Sequence, residues 1–114
     1  AGDDLEDAQD DVLVVSGEGA VYTIDRRGAR SLWEGDALAV AADRARRAVW
    51  IAARTPLAVI ECVDLESGDV RLRLPLPVEL ESASLVLVVG PRGVVAYSHD
   101  RPISSALLVD PTQG

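Results

Sequence analysis

Beyond residue 11, short apolar runs alternate with polar turn residues along the whole chain. Residues 12–15 end at Ser16-Gly17-Glu18-Gly19, residues 20–24 at Asp25-Arg26-Arg27-Gly28, and residues 29–33 at Glu34-Gly35-Asp36. Residues 38–42 meet a turn at Asp43-Arg44-Ala45-Arg46, and residues 48–53 stop at Arg54-Thr55-Pro56. Residues 57–63 stop at Asp64-Leu65-Glu66-Ser67-Gly68, and residues 70–74 alternate cleanly up to Pro75 and Pro77. Runs at 85–89, 94–97 and 106–109 follow. Short β-branched runs punctuated by Gly, Pro and Asp predict strands. The pattern predicts about ten of them, and connections this short join antiparallel neighbours rather than crossover helices. A helix over residues 36–53 is the competing reading. Ala is the best helix former and Asp36 suits an N-cap. Trp50, Ile51 and the neighbouring runs favour a hairpin there.

Composition supports sheet. Phe, Met, Lys and Asn are absent, and all 11 basic residues are Arg, a usage typical of high-GC, bacterial-type coding sequence. The core must therefore come from Val, Leu, Ile and Ala with Trp33, Trp50, Tyr22 and Tyr97, a palette that suits a pleated surface. The 114 residues fit one domain, and no apolar run is long enough to cross a bilayer. The net charge of −8 argues against a nucleic-acid backbone as partner. Six of the 19 acids fall within residues 1–11, which read as a flexible acidic arm outside a domain spanning 12–114. A calcium loop in that arm would need alternating ligands and a turn Gly that it lacks.

Single residues exclude further chemistry. Cys62 is the one cysteine, so no internal disulfide forms, and its apolar run predicts a buried, inert thiol. His99 is the one histidine, which leaves too few ligands for an ordinary zinc site. No cofactor or metal is expected. The compartment stays open between cytoplasmic and secreted for a soluble chain.

Three segments share a strand-Asp-gap-Gly pattern, at Asp25 and Gly28, at Asp64 and Gly68, and at Asp110 and Gly114, and in the first two another strand follows. The Asp carboxylate caps turn N–H groups and Gly supplies a positive φ, so Asp25, Gly28, Asp64, Gly68 and Asp110 read as turn builders. A recurrence of roughly 40 residues with four strands each is the mark of a propeller blade. The hairpin 40–52 resembles the first two strands of blades in the YVTN, NHL and related propeller repeats, as does 88–97. Residues 60–72 resemble the third and fourth strands. The resemblance implies an all-β fold of antiparallel four-stranded blade-like repeats, a β-propeller fragment or a propeller-like assembly. Its blades would be partial over 12–33, full over 38–76 and partial over 85–114. About two and a half blades cannot close a ring, which implies a missing remainder.

The resemblance also implies where function sits, on the connections that ring a propeller's channel. Here these hold Glu18, Glu34, Asp36, Arg54, His99, Asp100 and Arg101, with the acidic segment 77–82. His99 beside Asp100 suggests a general base, but adjacent side chains diverge on extended backbone. Trp33 and Trp50 fit core packing better than a sugar platform. The resulting expectation is a non-catalytic scaffold or protein-interaction module. Its partner is a protein or further blades of the same or another chain, with self-association through sheet edges. The alternative is a segment of an enzyme-associated propeller (hydrolase, lactonase or quinoprotein-like) that lends loops to a small-molecule or metal channel.

Overall fold

The computed structural model describes residues 13–55 and 57–111. The acidic arm 1–11 lies outside the described residues, as do Val12 and the last three residues. All the described structure is antiparallel β, apart from turns and two single-turn 3-10 helices.

The ten strands among the described residues form three separate meanders. The first sheet runs β1 (Leu13–Gly17), β2 (Ala20–Asp25), β3 (Gly28–Glu34). The central sheet runs β4 (Asp36–Asp43), β5 (Ala48–Thr55), β6 (Val59–Asp64), β7 (Val70–Pro75). The third runs β8 (Leu85–Gly90), β9 (Gly93–Ser98), β10 (Leu107–Val109). Every neighbour in a sheet is a neighbour in sequence, as short turns require.

The segment 36–53 is a hairpin, not a helix. Tertiary context overrides the Ala propensity here, because both faces of the hairpin are covered and no helical stripe would satisfy that. Small Ala side chains on β4 let neighbouring sheets approach closely. The ladder is longer than the turn residues suggest: Asp36 and Thr55 still pair, across irregularities at Asp36, Ala37 and Ala39. Arg54 therefore lies within β5 rather than in a loop.

The central sheet is the middle layer of a stack. One of its faces carries Trp50, Ala52, Ile60 and Cys62, packed with Leu85, Leu87, Val94, Ala96 and Val109 of the third sheet. Its other face carries Val49, Ile51 and Val63, packed with Val21, Val14, Leu32 and Trp33 of the first. Burial on both faces explains why β6 reads as an unbroken run, Val59-Ile60-Glu61-Cys62-Val63, rather than an alternation. Strand β4 packs against β8 and, less extensively, against β1.

The end sheets are covered on one face only. On the outer face of the first lie Leu13 and Val15, with the register partners Ile24 and Tyr22. On the outer face of the third lie Val86, Val88, Val95, Tyr97 and Leu108. Leu13, Val15, Val88 and Leu108 are exposed, at 64, 41, 49 and 49%. Both outer faces are thus apolar where an outermost layer would ordinarily alternate to polar.

Candidate interaction surfaces

Because each meander runs up and down, its turns fall at two opposite ends. Arg46 donates to the Gly90 and Pro91 carbonyls at 3.1 and 2.7 Å, tying the β4–β5 turn to the β8–β9 turn. Arg30 donates to the Leu65 carbonyl at 3.1 Å, tying β3 to the β6–β7 turn. The three sheets therefore share one end, and by the same topology they share the other.

The residues singled out in the sequence occupy the second end. Glu18 sits in the β1–β2 turn, Glu34 closes β3, Asp36 opens β4, and Arg54 is near the end of β5. His99, Asp100 and Arg101 lie in the β9–β10 connection, which includes a 3-10 turn over Ile103–Ser105. The segment 77–82 holds a second such turn over Val78–Leu80, with Leu80 fully buried as its anchor.

Asp100 and its neighbour His99 face different partners. The Asp100 carboxylate accepts from the hydroxyls of Ser98 and Ser82, the latter at 3.0 Å. The Ser98 bond first, then the Ser82 bond, hold Asp100 below the ordinary carboxylate range. The Ser82 hydroxyl accepts in turn from the Ser84 N–H at 3.0 Å. This network ties the β7–β8 connection to the β9–β10 connection. The His99 ring instead lies edge-on to Tyr97, with centroids 5.5 Å apart. Asp100 is engaged by serines, and the geometry brings together a brace rather than an acid–base pair.

The first end is built from arginine. Asp43 is buried to 1% exposure and accepts from Trp50 Nε1 at 2.9 Å, Arg46 Nη1 at 2.8 Å and the Arg46 N–H at 3.2 Å. Burial pushes the Asp43 carboxyl up, but the Trp50 and Arg46 bonds outweigh it and hold the group below its ordinary range. Asp64 accepts from the N–H groups of Glu66 and Ser67, at 3.1 and 2.8 Å, and from the Arg71 guanidinium. Arg71 first, then Ser67, hold Asp64 well below the carboxylate range. Arg71 also donates to the Arg46 and Arg47 carbonyls, at 2.7 and 3.1 Å.

The turn geometry at Asp25 is similar in kind. Its carboxylate accepts from the Arg27 N–H at 2.8 Å, and Gly28 and Gly68 take φ of 120° and 78°, values that side-chain-bearing residues rarely adopt. Asp110 follows β10 and is engaged by a partner in the structure.

A cleft of about 720 Å³ opens at this end between the first and central sheets. Five arginines line it: Arg26, Arg27, Arg30, Arg44 and Arg47. Three acids join them: Asp25, Asp43 and Glu66, the last paired with Arg47 at 3.2 Å. Sequence reasoning missed this cluster. The signal was present in two short turns, Asp25-Arg26-Arg27-Gly28 and Asp43-Arg44-Ala45-Arg46-Arg47, which alternate-turn logic places at one end.

A smaller cavity of about 480 Å³ runs between β1 and β4, lined by Leu13, Val14, Ser16 and residues 37–40. Cys62 is buried, and burial pushes its thiol up, away from reactivity. Among the described residues, no group of three or more His, Cys, Asp or Glu is placed to hold a metal ion. No helix among them is long and apolar enough to cross a membrane. No protein-family model, curated protein or solved structure matches this chain.

Proposed function

We propose that this chain is a scaffold or protein-interaction module, one part of a larger propeller-like stack of sheets. The observation that carries the reading is the apolar outer face on each end sheet. The central sheet is satisfied because it has a neighbour on both sides. Each end sheet has the same kind of second face and, among the described residues, nothing against it. Burying such a face is favourable at about 25 cal/mol per Å² of apolar surface, so these faces are mates for further sheets.

The edges support the same reading. The outer edge of the central sheet, β7, carries Arg71 and Arg73, charges that discourage a further strand. In contrast, β1 reads Leu-Val-Val-Ser-Gly and β10 reads Leu-Leu-Val, with no charge. The cavity between β1 and β4 lies where an inner strand of the first sheet would sit. Such a strand would complete a fourth position matching β4 in the central sheet. The partner is thus a protein: further sheets of the same or another chain.

Sedimentation velocity of this polypeptide over a wide concentration range tests the proposal. The expected result is a mass above the 12.1 kDa of one chain that rises with concentration. A 12.1 kDa species at every concentration would overturn it.

A further inference from the structure

The two sheet-to-sheet contacts inside the chain run in the same direction. The pairs Asp43–Ala48 and Gly90–Gly93 close the β4–β5 and β8–β9 hairpins, and counting from them aligns the central and third sheets. Trp50 and Val95 each stand two residues past the closing pair, and Ala41 and Val88 two residues before it. Asp25 and Asp64 end β2 and β6 and align the first sheet in the same way, Ile24 with Val63 and Val21 with Ile60. Each sheet thus has a leading face, turned towards the next sheet in chain order, and a trailing face. The leading face of the central sheet carries Trp50 and Cys62 and packs on Val94 and Ala96, the trailing face of the third. The leading face of the first sheet carries Val21 and packs on Val49 and Val63, the trailing face of the central sheet.

Leading meets trailing at both contacts, and like meets like at neither. One face of each kind is left open. The open face of the third sheet, with Val88, Val95, Tyr97 and Leu108, stands at the leading positions, since Val95 matches Trp50 and Val88 matches Ala41. The open face of the first sheet, with Leu13, Val15, Tyr22 and Ile24, stands at the trailing positions, since Ile24 matches Val63. None of these eight residues carries a charge. The two open faces are therefore the two halves of one contact, held at opposite ends of the stack by the same chain.

We propose that the partner is a second copy of this chain, the first sheet of one copy seated head to tail on the third sheet of the other. The inference rests on the stacking reading above and adds to it the occupant and the polarity. The new contact continues the two that the chain already makes. It is heterologous, so each copy uses two different faces and successive copies extend a ring or a row. It is also weaker than the internal contacts. Arg46 reaches from the β4–β5 turn to carbonyls of the β8–β9 turn, but among the described residues the first sheet has no strand before β1 and offers no matching turn. Arg30 reaches from β3 to the β6–β7 turn, but among the described residues the third sheet ends at β10 and has no matching strand. With neither tie formed, apolar burial carries the contact, and association is reversible and concentration-dependent.

Sedimentation velocity of two full-chain variants tests the polarity. One carries Val88→Asp and Leu108→Asp, which close the leading face, and the other Leu13→Asp and Val15→Asp, which close the trailing face; all four side chains are exposed. Each variant alone should stay at the 12.1 kDa of one chain at concentrations where the unsubstituted chain associates. Mixed one to one, the two should form a dimer and nothing larger, because each supplies the face that the other lacks and no usable face is left over. Far-UV circular dichroism identical to that of the unsubstituted chain checks folding, and Ser in place of Asp at the same positions supplies a second pair of variants. Either variant associating alone would assign the contact to like faces and overturn the head-to-tail order. A mixture that stays monomeric, or one that grows past a dimer, would overturn it too. Those results leave the stacking reading standing, whereas an unsubstituted chain that is monomeric at every concentration would overturn both.

Discussion

The two interfaces of the central sheet are built differently. Against the third sheet the contact is deep: twelve buried side chains among the described residues form one cluster that includes Trp50, and the Asp43–Arg46 clamp ties it to the β8–β9 turn. Against the first sheet four apolar side chains among the described residues are fully buried, Val21, Val49, Ile51 and Val63. There Glu61, 4% exposed, must be satisfied by Trp33 Nε1 and Arg73, both at 3.3 Å. One contact is a core and the other resembles an interface between separable parts. The difference locates stability in the central and third sheets.

The two tryptophans give the largest contrast. Trp50→Ala removes a fully buried indole and one of the hydrogen bonds to the buried Asp43 carboxylate, and should cost about 3–5 kcal/mol in urea unfolding. Trp33→Ala, at a half-buried position, should cost about 1–2 kcal/mol, with its loss confined to the first sheet in hydrogen exchange. Equal costs would erase the distinction between the interfaces.

Gly93 sharpens the contrast next. Its φ is 144°, and a Cβ there would stand 1.9 Å from the Val109 carbonyl oxygen inside the third sheet. Gly93→Ala should lose about 3 kcal/mol or more. Gly19→Ala, in the first sheet with φ 72° and open space around it, should lose only about 1–2 kcal/mol. Thermal unfolding of the two variants would show whether that order holds.

Acid dependence is a smaller effect. The carboxyl of Asp43 titrates lower in the folded chain than in the unfolded one, so its contribution is present above pH ~4 and fades as pH falls further. Asp64, half-buried, and Asp100, exposed, act in the same direction. Asp43→Asn should cost about 1–3 kcal/mol at neutral pH and flatten the loss between neutral pH and pH ~3, as read by urea midpoints at the two values. A variant as acid-sensitive as the unsubstituted chain would show that the clamp is not the titrating element.

The strands were legible because each is bounded by residues whose turn chemistry is local. Asp25 and Asp64 bind the turn N–H groups just downstream, and Gly28 and Gly68 adopt positive φ. The Ala-rich hairpin was legible only through Trp50 and Ile51, since its propensity pointed to helix and the covering sheets decide otherwise. Strand ends were less legible. Arg54 reads as a loop residue, yet the irregular β4–β5 ladder carries pairing to Thr55. The arginine cleft was hidden for a different reason. Its residues come from turns too short to look like sites, and their convergence depends on how sheets stack. Likewise, apolar residues such as Val88 and Leu108 read as core in a single strand, and only the stack shows that their face is open.

The central claim, that the end sheets are mates for further sheets, is tested most directly by the native mass of two chains side by side. One is the unsubstituted chain and the other carries Leu13→Asp and Val15→Asp on the outer face of the first sheet with Val88→Asp and Leu108→Asp on that of the third. The account predicts concentration-dependent association for the first and a folded 12.1 kDa monomer for the second, with unchanged far-UV circular dichroism. An unsubstituted chain that stays monomeric throughout, or a variant that associates as strongly as its parent, would contradict it.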